Sequence, residues 1–305
     1  MLPVIKVITM KKSLLLLAAI AMLVGCGNKP VKQIQKVDTE TITESTTESV
    51  IEDYSQEDFI EEEENVRFTV ENYTLQDSRS TIEDGEEHPD NMITFSCDID
   101  IPVTDNEALR DSICYWLASQ IGSDYDGNPS DVKAMMSHYR DRSLDFEGDE
   151  GAEGYDLEYT MKLMEANDRY VTYRYSLFFE SAGSPRANQE YTYVTFDSST
   201  GTRFTRQMIL VDENLEQLVM AGLFEQYFKD WTPEDLQDLL FFDPTDPADY
   251  VFSLPQYDDP WIFNDLIYFG YSEHEIADRC TGQPNCGLPY SEMEPYLTEE
   301  GKSFF

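Results

Sequence analysis

The chain is poor in histidine, in basic residues and in long apolar segments. It has three histidines, His88, His138 and His274, and 21 lysines and arginines against 61 aspartates and glutamates. No histidine stands in a metalloprotease or nucleophile–base spacing, and neither a Gly-x-Ser-x-Gly sequence nor a phosphate-binding glycine loop occurs. With so many carboxylates, neighbouring acids carry no catalytic information. We therefore expect a protein that is not an enzyme.

The charge balance limits the classes of partner. A formal net charge of −40 disfavours nucleic acid, because binding it requires lysines and arginines that neutralise phosphates. The same charge repels anionic lipid headgroups and attracts basic proteins, peptides or divalent cations. Acidity that serves solubility alone is the alternative interpretation.

The one long apolar run lies near the N-terminus. It extends from Leu14 to Val24 behind Lys11 and Lys12, and is about half of the ~20 residues that a membrane-spanning helix needs. The residues Leu23-Val24-Gly25-Cys26 resemble the lipobox of bacterial lipoproteins. The resemblance implies a signal peptide over 1–25 and a lipid on Cys26 that anchors the chain to a bilayer, since two or more acyl chains hold stably. We expect a domain held in the cell envelope outside the cytoplasm, on the periplasmic face or the cell surface.

Residues 26–65 are predicted to be a disordered acidic tether. The run from Thr39 to Ser49 contains serine, threonine and glutamate with almost nothing to bury, and Glu61–Glu64 adds repelling charge. The folded domain is then expected over 66–300, with an N-terminal part at about 66–150 and a C-terminal part at about 151–297.

Apolar periodicity predicts an α+β fold with a mostly antiparallel sheet and helices packed on one face. Strands are indicated near 67–75, 92–101, 155–163, 170–179 and 191–197, and two more at 261–269 and 286–289. A helix is indicated from Asp105 to Gly122. A second, capped by Asp212, follows over 213–229, and a short helix follows Pro233.

The second half of the chain resembles the C-terminal domain of RsiV-type anti-sigma factors, a domain also found in peptidoglycan deacetylases. The resemblance rests on the strands 173–179 and 191–197 with the Phe-Asp-x-x-Thr-Gly pattern at 196–201, and on 263–277 followed by Leu288-Pro289-Tyr290-Ser291-Glu292. It implies a binding domain for a basic protein such as lysozyme. A glycan or peptidoglycan ligand is the alternative, with Tyr173, Tyr175, Tyr191 and Tyr193 as the aromatic platform.

The candidate contact surface is the loop at 183–187 together with 271–286. Within it we single out Gly183, Arg186, Tyr271 and His274 as binding residues. A calcium loop is a further hypothesis, because Asp124, Asp126, Asn128 and Asp131 place oxygen atoms at short spacing around a glycine, although the full EF-hand pattern is missing. No other cofactor is expected.

Four cysteines remain after Cys26. In an exported protein an even number favours disulfides, and four cysteines allow three pairings. We favour Cys97 with Cys114 and Cys280 with Cys286, with free thiols or a metal site as the alternatives.

Overall fold

The computed structural model describes residues 68–83, 86–122, 124–145, 154–182, 187–241 and 254–305. The predicted signal peptide, Cys26 and the tether lie outside these residues, as do Gly183 and Arg186. In the part described, no helix is long and apolar enough to cross a membrane.

The main sheet has five strands in the order β1-β2-β3-β4-β5. They are β1 (Thr69–Glu83), β2 (Glu86–Val103), β3 (Tyr155–Ala166), β4 (Tyr170–Ser181) and β5 (Asn188–Asp197). All neighbours are antiparallel except β2 and β3, which are parallel. The predicted α+β class with a mostly antiparallel sheet is therefore confirmed.

Two helices connect the parallel strands and cover one face of this sheet. They are α1 (Glu107–Ile121) and α2 (Val132–Leu144). The predicted apolar face of β2 is buried as expected, with Phe95 and Ile99 fully enclosed beneath Leu109, Ile113 and Met135. The helix predicted to begin near Asp105 is α1, whose N-cap is Asn106 and whose C-cap is Gly122.

A second core lies under the C-terminal half of the chain. It is built by α3 (Glu213–Gln226), capped by Asp212 as predicted, by α4 (Pro233–Leu239) and by a small antiparallel sheet. That sheet contains β6 (Trp261–Phe263), β7 (Leu266–Gly270) and β8 (Asn285–Pro289). Two short helices follow, α5 (Tyr290–Met293) and α6 (Glu299–Lys302).

The small sheet corrects one sequence prediction. Residues 261–269 form a hairpin in place of a single strand, because Asn264 and Asp265 adopt positive φ values of 51° and 57° and reverse the chain. The turn is held against the main sheet, where Glu165 accepts from the Asn264 backbone N–H at 2.7 Å and Asp265 pairs with Arg169 at 3.0 Å.

The N-terminal and C-terminal parts expected on either side of residue 150 share the main sheet. The parallel pair β2–β3 joins the two sides of that boundary in one sheet, and α1 packs against β5. The folded region also extends past 300, since Phe304 is 1% exposed and its ring packs against Phe204.

Candidate functional site

A groove of about 460 Å³ lies where the edge strand β5 meets the small sheet, and we call it the β5 groove. Five parts of the chain form it: the start of β5, the C-terminal end of α3, the loop before β6, the strands β6 and β7, and the connection between β7 and β8. Its lining residues are Ala187, Gln189, Tyr191, Tyr193, Tyr227, Asp258, Trp261, Gly270, Tyr271, Glu273, Gly282, Gln283 and Asn285.

A stack of three aromatic rings forms one wall of the groove. The Trp261 ring lies between Tyr193, at 4.4 Å and 11°, and Tyr268, at 5.3 Å and 13°. Gly270 makes room for the indole, because a Cβ atom there would lie 2.7 Å from the Trp261 ring. Both faces of Trp261 are thus covered by tyrosines, and the ring is only 6% exposed.

The edge of β5 is closed at Tyr191 by a side chain. The Gln283 amide accepts from the Tyr191 backbone N–H at 2.9 Å and donates to its carbonyl at 3.1 Å, which reproduces the pairing of a neighbouring strand. The guanidinium of Arg174, on the neighbouring strand β4, lies 5.5 Å from the centre of the Tyr191 ring, within cation–π range.

Asp258 gives the groove its acidic character. Its carboxylate accepts a hydrogen bond from the Ser272 hydroxyl at 3.1 Å. Burial raises the pKa of Asp258 to about 6, and the nearby charges of Glu275, Glu190 and Asp259 act in the same direction while the Ser272 bond opposes them. Glu273 adds a further carboxylate to the lining.

Aromatic rings and carboxylates together suit a cationic group. A cation is attracted to the acids, and the aromatic walls of the groove limit access of water and so strengthen that attraction. The amides of Gln189 and Asn285 add hydrogen-bonding groups that a polar ligand could use.

A second cavity, of about 430 Å³, is less suited to a ligand. It lies beside the N-terminal ends of α1 and α2, and some of its polar and charged residues pair with one another. Lys133 contacts Glu71 at 2.8 Å, and Ser130 donates to Asp111. The charges lining this cavity therefore stabilise the packing of α2 against β1.

The fold is similar to those of two solved proteins of the DUF3298 family. The one from Bacteroides fragilis has a TM-score of 0.57 at 18% identity, over 77% of this chain and 96% of that chain. The one from Pseudomonas aeruginosa has a TM-score of 0.53 at 14% identity, with the same coverage of 77% and 96%. No protein-family model matches the chain, and no curated protein matches it significantly. The likeness supports a domain of unknown function and establishes the fold; the RsiV-type assignment stays a prediction.

The predicted contact region 271–286 lies along the groove, but its named residues differ in exposure. Tyr271 is 2% exposed, and burial raises the pKa of its hydroxyl. His274 is exposed, has a φ of 63° and packs against Phe241, and it is not part of the groove lining. Of the tyrosines in the suggested platform, Tyr173 and Tyr175 are buried beneath the helices, whereas Tyr191 and Tyr193 line the groove.

The predicted disulfides are not formed in the structure. Cys97, Cys114 and Cys286 are buried free thiols, and burial raises their pKa values to about 12, 11 and 12. Cys286 faces α3, where its thiol contacts the Val219 carbonyl oxygen at 3.4 Å, while Cys280 is exposed on a separate turn.

The residues of the suggested calcium loop have structural partners. Asp131 caps α2 through the Ala134 N–H at 3.0 Å, Asp124 pairs with Arg142, and Asn128 accepts from the Ser130 N–H at 3.1 Å. Asp126 is exposed. Within the described ranges, no group of three or more histidine, cysteine or acidic side chains could hold a metal ion. The geometry gives the calcium hypothesis no support.

Sequence patterns did not single out the most informative groove residues. Asp258 lies in a proline-punctuated loop where periodicity gives no signal, and Trp261 reads as an ordinary strand residue. Gln283 lies in the connection between Cys280 and Cys286, which we interpreted as a disulfide loop. The region 271–286, together with Tyr191 and Tyr193 of the suggested platform, pointed toward this part of the molecule.

Proposed function

We propose that this chain is a lipid-anchored protein of the bacterial cell envelope whose folded domain binds a basic protein without catalysing a reaction. The observation that carries the proposal is the β5 groove, in which aromatic rings surround Asp258 and Glu273. The groove is the contact surface, and the anchor on Cys26 keeps it near the membrane.

The overall charge supports a basic partner. A chain with 61 acidic and 21 basic residues generates a negative potential that accelerates encounter with a cationic protein. Such steering depends on ionic strength, because salt screens it over about 8–10 Å. Association should therefore slow steeply as salt is added.

The concrete probe is lysozyme, a basic protein that the resemblance to RsiV-type domains suggests. The full chain in detergent is titrated with lysozyme, and the heat of binding is measured by calorimetry at low and at high salt. Binding at low salt that weakens with salt is the expected result. No heat at any salt concentration would contradict the lysozyme version of the proposal.

A matched pair of variants tests whether the groove is the contact surface. Glu273→Gln removes a charge from the lining, and Glu234→Gln removes one from the exposed first turn of α4. We expect roughly a threefold to tenfold loss of affinity for the first, corresponding to about 1 kcal/mol, and little change for the second. Equal effects would mean that only net charge matters.

A glycan or peptidoglycan ligand is the second candidate. The amides of Gln189 and Asn285 and the partly exposed Tyr191 favour it. The covered faces of Trp261 count against it, because sugar rings stack on open aromatic faces. A peptidoglycan pull-down that is insensitive to salt, together with no binding of lysozyme, would favour this alternative.

A further inference from the structure

Asp258 is an acid at the groove without a cationic partner of its own. The charged groups that act on it are Glu275, Glu190 and Asp259, and all three are acidic. Across the described ranges, no lysine, arginine or histidine forms an ion pair with Asp258; its hydrogen bond comes from the neutral Ser272 hydroxyl. A partly buried carboxylate without a counter-ion is costly unless a ligand supplies one.

The nearby basic side chains have other partners. Arg206 donates to the carbonyl oxygens of Leu254 and Pro255 at 3.1 and 2.7 Å. Arg203 pairs with Asp259 at 3.0 Å, and Arg174 lies over the Tyr191 ring. If one of these arginines were to become the counter-ion of Asp258, it would have to give up its present contact.

The segment that carries Asp258 is held in place on both sides. Glu275 accepts from the Gln256 N–H at 2.7 Å and from the Ser272 N–H at 2.9 Å. Asp259 accepts from the Arg206 backbone N–H at 3.0 Å. These bonds fix the backbone around Asp258, so its carboxylate is positioned before a ligand arrives.

The hydrogen-bond geometry distinguishes between the two kinds of basic side chain. The Ser272 hydroxyl donates to Oδ2 of Asp258. Among the described residues, no hydrogen bond to Oδ1 is seen, so this oxygen can accept one from a ligand. A guanidinium binds best when both oxygens of a carboxylate receive its fork, whereas an ammonium acts as a compact point charge.

We propose that the β5 groove receives the ε-ammonium group of a lysine side chain from the partner, with Asp258 as its counter-ion. This inference rests on the proposed function, a basic protein partner, and adds the chemical group that is recognised. It makes binding depend on pH, because a proton and the ammonium group compete for the same carboxylate.

The direction of the pH dependence follows from the free protein. Burial and the neighbouring acids raise the pKa of Asp258 to about 6, so below that pH the free carboxyl is protonated. A bound ammonium stabilises the ionised form and releases the proton. Affinity should rise as pH increases through 6 and level off above it. Glu273 and Glu275 face the same region and add attraction at every pH where they are ionised.

The test uses acetylated tetralysine amide as the probe, with acetylated tetra-arginine amide beside it. The full chain in detergent is titrated by calorimetry at pH 5 and pH 7.5, in two buffers that differ in ionisation enthalpy. We expect tetralysine to bind about tenfold more tightly at pH 7.5, to release a proton at pH 5 but not at pH 7.5, and to bind more tightly than tetra-arginine.

Two variants locate the effect. Asp258→Asn, which keeps the size of the side chain, should abolish the proton release and most of the pH dependence. Asp238→Asn, an exposed change on α4 with the same loss of charge, should preserve both. The proton release of the unmodified chain is a readout that needs no variant.

The outcomes separate this inference from the proposed function. Binding of lysozyme without proton release by tetralysine, or with release unchanged in Asp258→Asn, overturns the inference and leaves the proposed function standing. Equal affinity for both peptides overturns the choice of lysine. Absence of binding by both lysozyme and tetralysine contradicts the two proposals together.

Discussion

Single side chains in the β5 groove have features that the proposed binding would explain. Asp258 shows this most clearly, since its pKa of about 6 means that the folded protein disfavours the ionised carboxylate. The Gln283 amide both accepts from and donates to the backbone of Tyr191. Costly groups that lie in a cleft are typical of functional sites, which is why these residues outweigh the more numerous surface acids.

The gain in stability from Asp258→Asn, relative to the original protein, should depend on pH. The folded pKa of Asp258 lies above the ordinary value of 3.8, so the folded state binds more protons than the unfolded state between pH 3.8 and about 6. The contribution of this group to stability is therefore full below 3.8, falls as pH rises through that interval, and stays low above it. The variant should match the original at pH 4 and exceed it by on the order of 2 kcal/mol at pH 7.5.

Urea unfolding of both proteins at the two pH values measures this difference. Asp238→Asn is the control, because its side chain is exposed and it should change little at either pH. A gain that is the same at pH 4 and pH 7.5 would contradict the assignment of the effect to Asp258.

At the scale of elements, the turn after β5 holds the sheet against α1. Asp197 accepts from the backbone and hydroxyl groups of Ser199 and Thr200 at 2.7–2.9 Å. Asn106, the N-cap of α1, donates to the carbonyl oxygens of Ser198 and Ser199 at 2.9 and 2.8 Å. The Asp-x-x-Thr-Gly pattern that supported the family resemblance thus has a structural explanation in the joining of β5 to α1.

Gly201→Ala should destabilise the protein by about 2 kcal/mol or more. Gly201 has a φ of +71°, and a Cβ atom there would lie 2.6 Å from the Ala108 carbonyl oxygen. Urea midpoints measure the loss. Gly122→Ala is the control, since its φ of 167° suits any residue and its nearest neighbours, at 3.2 Å, are side chains. Equal midpoints for both variants would contradict this explanation.

For the whole molecule, the acidic charge and the proposed anchor act together. A chain with a formal net charge of −40 presents a negative surface near the membrane and repels anionic headgroups. Cationic partners would be concentrated there, while the domain itself would stay away from the bilayer surface. Attachment then depends on the lipid.

Cys26→Ser should release the protein from membranes. In a detergent phase-partition experiment on bacteria that express the chain, the original protein should enter the detergent phase and the variant the aqueous phase. Cys280→Ser, a change at an exposed cysteine of the folded domain, should not alter partitioning. Retention of Cys26→Ser in the detergent phase would contradict lipid anchoring at this residue.

The sequence by itself determined the elements that depend on local patterns. Alternation along 92–101 identified the buried face of β2, the apolar stripe and Gly122 defined α1, and Asp212 marked the start of α3. These succeed because side-chain periodicity and helix capping are properties of neighbouring residues. The hairpin at Asn264-Asp265 was missed because its strands are too short to show alternation.

Only the tertiary structure decided where the candidate site lies. Tyr191, Asp258, Trp261 and Gln283 are separated along the chain, and they meet because the β6–β7 hairpin and the connection before β8 pack beside β5. The structure also separated the tyrosines of β4, which are buried, from those of β5, which line the groove. Residue type and spacing fix a side chain's chemistry, but its burial and partners depend on contacts between distant segments.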